Sequence, residues 1–316
     1  MRALRWFSAA SIYFLSSVLL AMDWEIPSSG VQVVQVRARA AKVVVEKNHG
    51  STIRVSISGL GEQSWQHELQ TSNLLISGPE DLGTTEETKI TLGIPDSITQ
   101  TQLVFEDIRA DLKSVSRLVV TALKGRISVS AAGENVKFFM EKGEIISAQH
   151  LGSMEIESYG GKITINDGQG PLKIRLFGGD LAVTKSQGSI NLESNASSAK
   201  INGLQGNLSL LWGKGTFQLM DFSGRFEGVS RDGQLQLQLK PEAMVDLQAE
   251  RGKVNINLPS DSGAAVNVRT VSGSLSVPGP IKSGREGRFR VARGKLVGAS
   301  KGSITIRSDD ASVGIR

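Results

Sequence analysis

GKITINDGQ, GPLKIRLFG and GDLAVTKSQ follow one another without a gap from Gly161 to Gln187, and aligned on their first residue they share one pattern. Each opens on glycine and places apolar residues third (Ile163, Leu172, Leu181) and fifth (Ile165, Ile174, Val183), with mostly polar residues between them. Alternation of period two puts the apolar set on one face of a strand, and glycine at the head permits a tight turn. Stepping by nine from Gly125 to Gly233 meets glycine at eleven of thirteen positions, Glu134 and Ser197 being the exceptions. The third position is apolar in all thirteen units, from Ile127 to Leu235. A period this regular is a property of the fold.

A lone strand of this kind cannot bury its apolar face, whereas stacked copies pair their backbones and close a continuous core. The expected fold is all-β: a parallel β-solenoid, or β-helix, of glycine-headed nine-residue strand units. Tyr159-Gly160-Gly161 recurs as Phe177-Gly178-Gly179, two units later. That favours an 18-residue coil of two strand units, with a 27-residue coil of three as the alternative. After Lys240-Pro241 the strict period slips, because proline cannot donate to a ladder. The phrase returns at wider spacing at Gly252, Gly273 and Gly302, so longer loops such as Pro278 to Gly287 are expected to project there. From Val31 to about Asp107 the chain alternates without a fixed glycine period. This segment reads as irregular β-structure, a candidate cap over an otherwise open strand edge.

The chain begins Met1-Arg-Ala-Leu-Arg5, followed by an uncharged apolar run from Trp6 to Met22. A basic start before such a run is the layout of a secretory signal or an uncleaved signal anchor. The expected organisation is therefore a signal peptide or anchor helix over 1–24, a β lead-in over 25–107 and a repeat domain over 108–316. An extracytoplasmic location follows: periplasm, membrane anchored through residues 6–22, or cell surface. With no cysteine among 316 residues there is no disulfide framework, thiolate metal site or cysteine nucleophile. The net charge of +5 is mild, and no stretch stands out as clustered lysine and arginine interleaved with aromatics, so nucleic acid is not an expected partner.

Few residues suggest chemistry. The three histidines, His49, His67 and His150, share no spacing and read as solvated surface groups, so neither a metal nor a general base is expected. Calcium solenoids of period nine need a Gly-Gly-x-Gly-x-Asp phrase, which Gly160-Gly161-Lys162-Ile163 fails. Glu155 and Glu157 straddle Ile156 and form an outward carboxylate pair, more often a solvated strand feature than a glycosidase pair. Tyr159, Phe177 and Trp212 fall at turn positions and form a candidate interaction edge, although turn aromatics more often cover the corner of a core. No cofactor is expected.

The export segment, the loose lead-in, the proline-closed strand Ile90-Thr-Leu-Gly-Ile-Pro95 and phrases like Gly161-Lys-Ile-Thr-Ile165 resemble the bacterial putative-adhesin β-solenoid family, a cell-envelope domain of unknown function. The resemblance covers about Val31 to Arg316 and brings no catalytic residues with it. It implies a non-catalytic structural or interaction protein of the cell envelope. The expected partner is an envelope protein, a second copy of the chain or a surface glycan. A membrane-anchored sensor ectodomain and a carbohydrate-active β-helix enzyme are the alternatives.

Overall fold

A computed structural model describes residues 21–59, 64–79, 88–259, 261–299 and 301–316. The apolar run expected to drive export lies, apart from its last two residues, outside them. Among the described residues there is no α-helix, and no helix long and apolar enough to cross a membrane. The chain is all-β, with most of its strands paired in parallel.

The N-terminal third contains β1 (Met22–Pro27), β2 (Val33–Asn48), β3 (Thr52–Gly59), β4 (Gln66–Gln70), β5 (Asn73–Ser77) and β6 (Thr88–Pro95). The middle contains β7 (Gln100–Lys113), β8 (Leu118–Ser130), β9 (Val136–Ala148), β10 (Met154–Ser158), β11 (Lys162–Gln169), β12 (Leu172–Leu176), β13 (Asp180–Asn202), β14 (Gln205–Leu239) and β15 (Met244–Asn257). The C-terminal part adds β16 (Ala265–Thr270), β17 (Leu275–Ser276), β18 (Lys282–Glu286), β19 (Phe289–Lys295), β20 (Ser303–Ser308) and β21 (Ser312–Ile315).

From β8 to β14, partners advance in a uniform 18-residue step. Val136 pairs with Met154, Met154 with Leu172, Leu172 with Ile190 and Ile190 with Leu208. On the other wall Ile127 pairs with Ile145, Ile145 with Ile163 and Ile163 with Leu181. Like side chains therefore stand over one another, and these residues are buried to within a few per cent of full burial. The core is a column of stacked aliphatics, thickened towards the C-terminal end by Trp212, Phe217, Phe222 and Phe226. Outward positions carry charges that the register pairs, Arg126 with Glu144 and Lys124 with Asp107, while Arg307, opposite Gln248, reaches diagonally to Asp246.

The glycine heads are required by that register. Gly161 and Gly206 hold φ of +115° and +143°, and a Cβ on either would collide with the carbonyl oxygen of the glycine one step earlier, Gly143 or Gly188. An L side chain fails there twice, through strained φ and through collision with fixed backbone.

Both ends depart from simple succession. Near the N-terminus β2 lies between β7 on one side and β5 and β6 on the other, so a later segment forms the outermost rung. Antiparallel strands cover that rung: β4 on β5, and β3 then β1 on β6. The Trp24 ring on β1 meets His67 on β4 with centroids 4.5 Å apart, joining the two covering layers. Thus the segment without a glycine period already supplies parallel rungs. At the other end, Arg225 of β14 pairs with Met244 of β15, one residue beyond the regular step, and the extra residue falls in the turn that holds Pro241. β20 and β21 then insert between β15 and the pair β16 and β17. Beyond β16 lies the antiparallel hairpin β19 and β18. The stretch Pro278–Gly287, expected to project as a loop, instead supplies the edge strand β18, because its polar residues can pair with β19 while their side chains stay in solvent.

Replacing Gly206 by alanine is expected to lower the unfolding free energy by about 3 kcal/mol or more. Gly279→Ala, whose Cβ would meet nothing within 4 Å, should stay within about 0.5 kcal/mol of the parent. Paired urea titrations of the two variants measure the contrast.

Candidate interaction surface

Tyr159 and Phe177 follow directly after β10 and β12, strands that pair with Ser158 opposite Leu176. The 18-residue step therefore sets the two rings over each other, with centroids 4.4 Å apart and planes 11° from parallel. They stay 57% and 41% exposed, too open to serve as a core lid. The Tyr159 hydroxyl lies 3.5 Å from the Glu157 carboxylate. Trp212 is not brought to this edge. It stands opposite Ser194, one position earlier in the turn than the exposed pair, and that position faces inward. Its ring is fully buried against Phe217, and its Nε1–H donates to the Gly215 carbonyl at 3.4 Å. The lead-in aromatics Trp65 and Phe105 are also buried.

Beside the ring pair runs a row of charges set by the same register. Glu155 stands between Lys137 and Lys173, at 3.1 and 2.7 Å, while Arg175 lies between Glu157 and Glu193 at 3.7 and 3.5 Å. The hydrogen bond from Lys173, with Lys137 adding to it, holds the Glu155 carboxyl below its ordinary range. A general acid for glycoside cleavage needs the opposite shift. The pair Glu155 and Glu157 is thus a neutralised ladder. Leu211, in register with Glu193, is exposed and extends the row with an apolar group.

The histidines divide. His49 and His67 lie towards the solvent, His67 against Trp24. His150, expected at the surface, is instead completely buried at an inward turn position, and neither ring nitrogen has a hydrogen-bond partner. Its ring occupies the space that a side chain on Gly168, in the next coil, would fill. Burial lowers its pKa, and no charged group contributes to the shift. Among the described residues, no three histidine, aspartate or glutamate side chains gather as metal ligands.

A basic cluster that composition averages conceal lies at the C-terminal end. The hairpin β18–β19 carries Lys282, Arg285, Arg288, Arg290, Arg293 and Lys295 against one carboxylate, Glu286. Its run of alternating arginines around Phe289 is visible in the sequence, but the small net charge of the whole chain diverts attention from it.

A family model described as Toastrack DUF4097 matches residues 31–314. Among solved structures, a putative cell adhesion protein from Clostridium sporogenes is similar at 10% identity and a TM-score of 0.22, covering 94% of this chain and 98% of that one. A putative adhesin from Parabacteroides merdae is similar at 10% identity and a TM-score of 0.28, covering 91% and 95%. At such identities and scores the likeness bears on neither partner nor activity. No curated protein matches the chain.

The His150 shift has a testable sign. Its folded pKa lies below the ordinary 6.5, so the unfolded chain takes up the proton first. The contribution to stability is fully present above about pH 6.5 and is lost as pH falls through that value towards the folded pKa. Unfolding free energies measured from pH 7.5 to 5 should decline in the parent, and in His150→Leu the component due to this residue should vanish, flattening the slope.

Proposed function

The chain belongs to the Toastrack DUF4097 family, and from that membership we propose that it is a non-catalytic interaction protein of the bacterial cell envelope, exported by its N-terminal segment. In this reading two nine-residue strand units build each 18-residue coil, residues 108–316 form the repeat domain, and residues 25–107 act as its lead-in and cap. The side of the stack is the working surface. A partner lies along it, whether an envelope protein, a second copy of the chain or a surface glycan.

The observation that carries this reading is the stacked, exposed pair Tyr159 and Phe177. Beside the pair, the register answers outward charges with opposite ones, as around Glu155 and Arg175. Such a wall offers a partner little uncompensated charge, whereas two aligned rings offer rigid amphipathic area at low entropy cost. Interface energy concentrates on anchors of this type.

Location is tested by protease shaving of intact cells carrying an epitope after Arg316, with membrane fractionation alongside. Digestion from outside supports surface display; protection until the outer barrier is breached places the chain inside the envelope; recovery in the cytoplasm overturns the proposal. The edge is tested by a photo-crosslinking residue at Asn195, one register step from Phe177. Crosslinked adduct should fall about tenfold or more in Tyr159→Ser/Phe177→Ser. The melting transition should move little, since an exposed ring pair contributes about 1 kcal/mol to stability. An undiminished adduct would rule the edge out as the contact.

A further inference from the structure

The chain's entire net charge resides in one hairpin. Residues 282–295 hold six cations and one carboxylate, a balance of +5, and the remaining 30 cations and 30 carboxylates cancel. Within the hairpin the cross-strand register sets like charges together: Arg285 stands directly opposite Arg290, and Lys282 opposite Arg293. On the adjoining strands Arg269 of β16 is in register with Arg307 of β20. Directly opposed like charges destabilise a sheet. Arg293 binds Glu286 with contacts of 2.6 and 3.0 Å, which occupies the hairpin's own carboxylate. Among the described residues, Lys282, Arg285, Arg288 and Lys295 form no ion pair. A surface that keeps such repulsion in its resting state is matched to anions brought from outside.

We propose that the β18–β19 hairpin is a docking site for an anionic polysaccharide, a chain bearing carboxylate, sulfate or phosphate groups at repeated intervals. Charge complementarity selects a polyanion, and the hairpin's position as the edge of the sheet leaves β18 exposed along its whole length, as a linear ligand requires. A bilayer fits less well. Arg285 and Lys282 point to opposite faces of the two-stranded ribbon, and among the described residues Val297 is the one strongly exposed large apolar group near it, too little to enter a headgroup layer. Nucleic acid also fits less well, because Phe289 is already covered by guanidinium groups, Arg269 at 3.4 Å and Arg288 at 5.1 Å from its centroid, which leaves no free ring for base stacking. The choice of a glycan also rests on the envelope reading above, but the test does not, since it uses the purified full-length chain.

Binding is measured to four probes at about 50 mM salt: polygalacturonate, heparin, duplex DNA, and vesicles of phosphatidylglycerol and phosphatidylcholine. The polysaccharides are expected to bind, with affinity falling at least about tenfold by 200 mM salt as released counterions demand. Arg285→Ser/Arg288→Ser/Lys295→Ser should lose about tenfold or more, and the charge-keeping Arg285→Lys/Arg288→Lys variant should retain most of the binding. Lys162→Ser/Lys200→Ser/Lys214→Ser removes the same charge from exposed sites elsewhere and should bind as the parent does. Absence of polysaccharide binding, equal loss in both serine variants, or a preference for duplex DNA or vesicles would each overturn the proposal. Recovery of the chain in the cytoplasm by shaving would remove the envelope reading and leave this binding result intact.

Discussion

Each rung of this protein must lie directly over the last, and the backbone enforces that through the glycine columns. Parallel ladders bond evenly along their length. Where the chain turns, the carbonyl of one glycine presses against the Cα of the glycine above, leaving no room for a Cβ. Once that contact fixes the vertical register, side-chain placement follows. Aliphatic stands over aliphatic inside, cation beside carboxylate outside, and at one turn ring over ring. The ladder around Glu155 and the stack of Tyr159 on Phe177 are two products of one 18-residue step.

Because the step is uniform, the fold was legible in the sequence wherever it operates without interruption. Glycine heads and alternating apolar residues gave the strand direction and the buried positions from Ile127 to Leu237. The ends were illegible for a physical reason: an outer rung can be supplied by a segment distant in sequence, and no local period records this. β2 pairs with β7 more than sixty residues away, and β15 pairs with β20 nearly as far on. Alternation alone says that such segments are strands, not which neighbours they find.

The functional surface was legible in part. Tyr159 and Phe177 share one phase of the repeat, so their alignment was readable, whereas Trp212 sits one residue out of phase and turns inward. His150 was misplaced because one inward turn position looks like a loop in the sequence; only the glycine at 168 hints that a ring fills the space above it. The basic hairpin failed to register for a different reason. Balanced charge over a long chain hides a local excess, and the segment lay beyond the last regular repeat, where spacing offered no frame to count against.

The insertion of β20 and β21 between β15 and β16 bears on how the molecule is made. The middle rungs can be laid in the order in which they are synthesised, each finding its template already in place. β16 cannot: its parallel partner is translated more than thirty residues later, and the partners available to it before then are the antiparallel β19 and, through it, β18. Assembly therefore changes character partway along the chain, from sequential growth to a single concerted closure of high contact order. A nascent chain stalled before β20 would hold a finished stack with an open upper edge, and that interval is when the growing molecule is most exposed to pairing with a neighbour.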